Sequence, residues 1–141
     1  MVKGKIYCNN LVINNILTYK LSGVADNISV ECEAEVPEQI SVDMGDLGVI
    51  IGNLLDNSIN ALKNYTGDDK LLYLSCKQDN DHIFIKCENK FSETIRKPEK
   101  NPELHGYGMK IVKDITEKYN GELITQIQDT TFSTLAILKT E

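Results

Sequence analysis

Residues 41–65, SVDMGDLGVIIGNLLDNSINALKNY, form the longest helical pattern in the chain. Leu47, Ile50, Ile51, Leu54, Leu55, Ile59 and Leu62 recur at three- and four-residue intervals and make one apolar face. A helix of this length with one apolar face has to be covered along that face, so the rest of the chain must supply a sheet or further helices. Asp43 precedes the first apolar residue and is the expected N-cap.

The other side of this helix is unusual. Asn53, Asp56, Asn57 and Asn60 are spaced +3, +4 and +7. At roughly 100° per residue they share one face. Asn and Asp are poor residues for a helix interior, and solvated helix faces usually carry Glu, Lys and Arg instead. A polar outer face is the bland explanation. The functional one is a row of short oxygen and amide groups aimed at a ligand. Mg²⁺ takes oxygen ligands and keeps substrate phosphates and waters, so a neutral Asn carbonyl suits it beside a polyphosphate.

The remaining pattern supplies the sheet. ISVECEAEV (28–36) alternates strictly, with Val30, Cys32, Ala34 and Val36 on one side and three glutamates on the other. LLYLSCKQ and HIFIKCEN are strands of a hairpin turning at QDND. Residues 91–105 are polar, contain Pro98 and Pro102, and read as a long loop. MKIVKDITEKY (109–119) is a helix stopped at Asn120-Gly121, and ELITQIQ and FSTLAILK are closing strands around Asp129. LVINNILTYKL (11–21) has helical spacing and reads as the tail of a longer element. The order predicts an α+β two-layer sandwich: a mixed, mostly antiparallel sheet covered on one face by helices.

Composition narrows the partners. The 141 residues fit one domain, and a formal net charge of −6 argues against nucleic acid or an anionic membrane surface. No apolar run reaches the roughly 18 residues of a membrane span, and MVKGKIYCNN lacks the apolar segment of a signal peptide. The four cysteines form no CxxC or zinc spacing and read as reduced core residues. His82, at a strand start, reads as structural or exposed.

The stretch HGYGMKIV (105–112) opens the second helical pattern. A Gly-x-Gly alone marks either a plain turn into a helix or a phosphate loop. Together the motifs decide between them. IIGNLLDNSINAL resembles the N box of the GHKL ATPases, a family that includes gyrase, a heat-shock chaperone, histidine kinases and the mismatch-repair ATPase. The form NLLDN-x-x-x-A is typical of the kinases. HGYGMKIVKDITEKYNGEL resembles their glycine-rich G2 box, and IKCENKF lies where the adenine-binding G1 box belongs. Within the family the chain looks most like the peptide-sensing, quorum-type kinases.

This resemblance implies a Bergerat ATP-binding fold, ATP and Mg²⁺ as cofactors, and phosphoryl transfer to a histidine. An imidazole nitrogen has its own lone pair, so the domain would supply positioning and charge neutralisation rather than a strong base. Asn57 matches the Mg²⁺-coordinating Asn, and Asn53 the first N-box Asn near the phosphates; these two would be the catalytic pair. Asn89 stands where most members have the Asp that binds the adenine amino group, and the usual D-x-G-x-G is absent. Asn60 replaces a frequent Lys, and Lys63 lies a turn further on. His105, Gly106, Tyr107, Gly108 and Met109 would line the nucleotide, and residues 92–104, with Arg96, Lys97 and Lys100, would be the ATP lid.

Residues 1–22 would be the trailing end of the preceding dimerisation helix or a linker, and residues 23–141 the catalytic domain. The implied partners are ATP, the histidine-bearing dimerisation domain of the same kinase and, indirectly, a response regulator. The intact protein would be homodimeric and membrane-anchored, with this domain in the cytosol. A clamp ATPase, a serine kinase of the anti-sigma type and a degenerate docking module are the rivals.

Overall fold

The structure, a computed structural model, describes residues 8–24, 26–37, 40–92 and 107–140. The elements in chain order are α1 (Leu11–Ser22), β1 (Ser29–Ala34), α2 (Met44–Lys63), β2 (Leu71–Asp79), β3 (His82–Lys90), α3 (Tyr107–Lys118), β4 (Glu122–Gln128) and β5 (Thr131–Lys139). The five strands form one sheet in the order β1-β2-β3-β5-β4. β1 pairs with β2 in parallel and every other pair is antiparallel, so the sheet is mixed as the sequence predicts.

The register puts one residue set on the helix side. Leu72 pairs with Asn89, Leu74 with Cys87 and Cys76 with Ile85. The same rows continue through Phe132, Thr134 and Ala136 on β5. These alternate positions are the buried ones in β2 and β3, while Glu31, Glu33 and Glu35 stay exposed. Period-two alternation is what a sheet covered on one face requires.

α2 lies across β2 and β3, α3 packs on α2 and on β4 and β5, and α1 packs on α2. Leu47, Ile50, Ile51, Leu54, Leu55 and Leu62 of α2 are buried in the core, with Ile59 partly buried beside them. Truncating any one of these leucines to Ala would cost about 2–5 kcal/mol. Ile13, Leu17 and Leu21 place the inner face of α1 in the same core.

Polar groups fix the helix ends. Asp43 caps α2 by accepting from the Gly45 backbone N–H, as its position predicts. The Tyr119 hydroxyl accepts from the Asp43 backbone N–H at 3.0 Å and donates to Asp46 at 2.6 Å. Lys118 donates to the same carboxylate at 2.8 Å. The start of α2 is therefore clamped to the end of α3. α3 stops where Asn120 takes φ 56° and the Gly121 N–H returns to the Thr116 carbonyl at 2.8 Å. Gly121 passes so close to β5 that a Cβ there would lie 1.7 Å from the Ile137 carbonyl oxygen. His82 begins β3 beside Asp81, with Nδ1 and the carboxylate 2.9 Å apart.

Candidate functional site

The site is built where the middle of α2 meets the first turn of α3. Asn53 is half-buried there, and its Nδ2 donates to the Val49 carbonyl one turn back at 2.8 Å. That bond turns the Asn53 carbonyl oxygen outward, toward Gly108. A Cβ on Gly108 would meet Asn53 Oδ1 at 2.6 Å, so any larger residue there would push the Asn53 side chain from this position. The N-x-x-x-N helix and the G-Y-G-M turn thus touch through these two residues. Gly108 is the second residue of α3, so this contact falls in the first turn, whose N–H groups have no intrahelical acceptor.

Asn57 follows one turn along α2. It is half-buried, and no hydrogen bond joins its side chain to another described residue. Asn60 and Lys63 continue the row and are exposed. Asn89, near the end of β3, is only 3% exposed. Its Oδ1 accepts from the Ser58 hydroxyl at 2.8 Å and its Nδ2 donates to the Lys90 carbonyl at 3.0 Å. Ser58 Oγ is also 3.1 Å from Cys87 Sγ. Burial pushes the Cys87 thiol up to about 12, so it stays protonated at neutral pH.

Two sequence readings change. Asp56 does not join the asparagines: its carboxylate is held by Lys20 of α1, with Nζ 3.0 Å from each oxygen. Helical spacing places Asp56 on the edge of the row, and the neighbouring α1, whose position spacing does not show, takes that edge. Met109 turns inward and is buried in the core. His105, Gly106, Arg96, Lys97 and Lys100 lie outside the described residues, and Tyr107 is described by its backbone only.

A groove of about 570 Å³ runs beside this region, between α1 and α2. It shares Asn53 with the site but not Asn57 or Asn89. Its floor is the glycine row of α2, where a Cβ on Gly48 would meet Ile16 Cδ1 at 2.6 Å. Its lining comes from α1 and α2 alone, so it is the seam of the α1–α2 packing. Among the described residues no group of three or more His, Cys, Asp or Glu side chains could form a metal cage. No helix among them is long and apolar enough to cross a membrane.

Ser58 was missed from the sequence, although a signal was there. It lies three residues after Leu55 and four before Leu62, so it is a hydroxyl within the apolar stripe. A polar group in that phase needs a buried partner, and Asn89 is that partner.

The comparisons agree with this fold. The chain belongs to the GHKL domain family, whose model matches residues 42–138. Within that family it is homologous to the catalytic domains of sensor histidine kinases. A probable C4-dicarboxylate sensor kinase of Bacillus subtilis (strain 168) is 26% identical over 147 residues, covering 93% of this chain. The chain spans 27% of that curated relative's length. Among solved structures, the nucleotide-free catalytic domain of the histidine kinase ThkA matches with a TM-score of 0.67 at 16% identity, over 92% of this chain and 90% of that one. The mycobacterial sensor histidine kinase MprB matches with 0.64 at 18%, over 91% and 93%. The Acinetobacter baumannii histidine kinase AdeS matches with 0.68 at 15%, over 92% and 64%. At these identities the structures speak for the fold, which is the α+β sandwich of histidine-kinase catalytic domains.

Proposed function

We propose that this chain binds Mg-ATP and presents its γ-phosphate to a histidine on a separate dimerisation domain, as the catalytic domain of a two-component sensor histidine kinase. The observation that carries this reading is the Gly108–Asn53 approach, which sets the α3 N-terminus beside the N-box asparagines. A helix N-terminus attracts phosphate through its free N–H groups and its positive dipole end.

In this reading Asn57 supplies one neutral oxygen to Mg²⁺, and the phosphates and water supply the rest. The half-buried Asn57 amide, with no described partner, fits that part. The metal would neutralise charge on the transferring phosphoryl group. Asn53 Oδ1 and the backbone of the first turn of α3 at Gly108 would frame the phosphates. Asn60 and Lys63 continue the row along α2 beyond Asn57, on the side away from Gly108, and would line the nucleotide from there. Asn89 faces the base.

Asn53 has no basic lone pair, and its Nδ2 is tied to Val49. The site therefore offers no general base at that position to activate water, which favours transfer to an imidazole over hydrolysis by a clamp ATPase. The 1–22 segment as the trailing end of the preceding dimerisation helix or a linker, the homodimeric and membrane-anchored parent, the response regulator and the quorum-type input belong to the same proposal. Burial of Ile13, Leu17 and Leu21 ties α1 to the catalytic domain, whatever leads into it. The test is to mix this chain with a histidine-bearing dimerisation domain of a GHKL kinase and ATP labelled at the γ-phosphate. Acid-labile label on the histidine is expected, and free phosphate without labelled histidine would contradict the reading.

A further inference from the structure

Three buried polar side chains lie together between α2 and β3, outside the phosphate end of the site. Ser58 and Asn89 are each 3% exposed and Cys87 is 2% exposed. Buried polar groups need partners, and these three satisfy one another. No buried side-chain N or O atom among the described residues lacks a hydrogen bond.

We propose that Ser58 is a positioning residue for the nucleobase: it holds the Asn89 amide in one orientation, so that the site accepts adenine and rejects guanine. The proposal rests on the reading of Asn89 as the base contact. An Asn side chain offers two lone pairs on Oδ1 and two hydrogens on Nδ2. Here one of each is used inside the protein, on the Ser58 hydroxyl and the Lys90 carbonyl. What remains is one acceptor position and one donor position in a fixed order.

The order matters because the two purines present opposite edges. Adenine shows an amino donor beside a ring-nitrogen acceptor. Guanine shows a carbonyl acceptor beside a ring N–H donor. A carboxylate could only accept, so it needs no orientation; an amide free to turn over would suit both bases. The Lys90 carbonyl only accepts, so turning the amide would set Oδ1 against it. The Ser58 hydroxyl gives its one hydrogen to Asn89 Oδ1 at 2.8 Å, while the Cys87 thiol beside it donates to the Leu54 carbonyl at 3.7 Å. Both ends of the amide are then restrained, and a base that mismatches them leaves buried groups unpaired.

The experiment titrates the chain with Mg-ATP and with Mg-GTP, beside Ser58→Ala and Ser58→Thr. Ala is a better helix former than Ser, so Ser58→Ala retains the helix. The unmutated chain is expected to prefer ATP. Ser58→Ala is expected to lose about fivefold of that preference, the equivalent of one neutral hydrogen bond. Ser58→Thr keeps the hydroxyl and is expected to keep the preference. An unchanged ATP-to-GTP ratio in Ser58→Ala would overturn the proposal, and so would an equal loss in Ser58→Thr, which would make packing the cause. Failure of the folded, unmutated chain to bind either nucleotide would overturn the nucleotide reading beneath it.

Discussion

Gly108 and Asn53 are in contact across the junction of α3 and α2, so closely that a methyl group on Gly108 would sit 2.6 Å from the Asn53 carbonyl oxygen. The two residues are 55 apart in sequence (108 − 53) and belong to separate motifs. Their contact joins the two motifs into one candidate site.

Gly108→Ala separates the site from the fold. The new methyl forces the Asn53 side chain aside and breaks its bond to Val49. Ala is about 1 kcal/mol better than Gly in a helix, so α3 itself gains. The expected result is at least about a tenfold loss of Mg-ATP affinity, worth some 1.4 kcal/mol, with a melting temperature unchanged or raised. Calorimetry and a thermal melt check both halves. Unchanged affinity would show that the contact serves packing alone.

Two other glycines should differ sharply from each other. At Gly121 a Cβ would strike the backbone carbonyl of Ile137 at 1.7 Å, and neither partner is a flexible chain end. Gly121→Ala is expected to cost about 3 kcal/mol or more by denaturant unfolding. At Gly48 the obstacle is the terminal methyl of Ile16. An off-rotamer shift of about 0.5–1.5 kcal/mol is offset by about 1 kcal/mol of helix propensity, so Gly48→Ala should be near neutral.

The clamp between α2 and α3 should show in pH. Hydrogen bonds from Lys118 and then Tyr119 hold the Asp46 carboxyl below its ordinary value of 3.8. The unfolded chain therefore takes up this proton at a higher pH than the folded one. The stabilisation is complete above 3.8 and is lost as pH falls through the lower folded value. Asp46→Asn should melt lower than the unmutated chain at neutral pH, and the gap should close toward acid. A gap that does not vary with pH would contradict the assignment.

Much of this was legible in the sequence, for identifiable reasons. The apolar stripe of α2 named its buried leucines because a period near 3.6 leaves little choice of face. The strict alternation of residues 28–36 likewise separated Val30 from Glu31. Glycine signals at 106–108 and 120–121 marked both ends of α3. What spacing cannot tell is which neighbour occupies the edge of a face. Asp56 belongs to α1 through Lys20, and the Asp46–Lys118–Tyr119 clamp joins residues more than 70 positions apart. Asn89 read only as the residue standing where the family has its adenine-binding Asp; its tie to Ser58 depends on strand register, which no local pattern reveals.

The most direct test of the account is a calorimetric titration of the chain with ATP and Mg²⁺, run beside Asn57→Ala. The account predicts micromolar-range binding by the unmutated chain and its loss in the variant, because it proposes Asn57 as the neutral oxygen offered to the metal. Equal binding by a folded Asn57→Ala variant, or no binding by the folded unmutated chain, would contradict it.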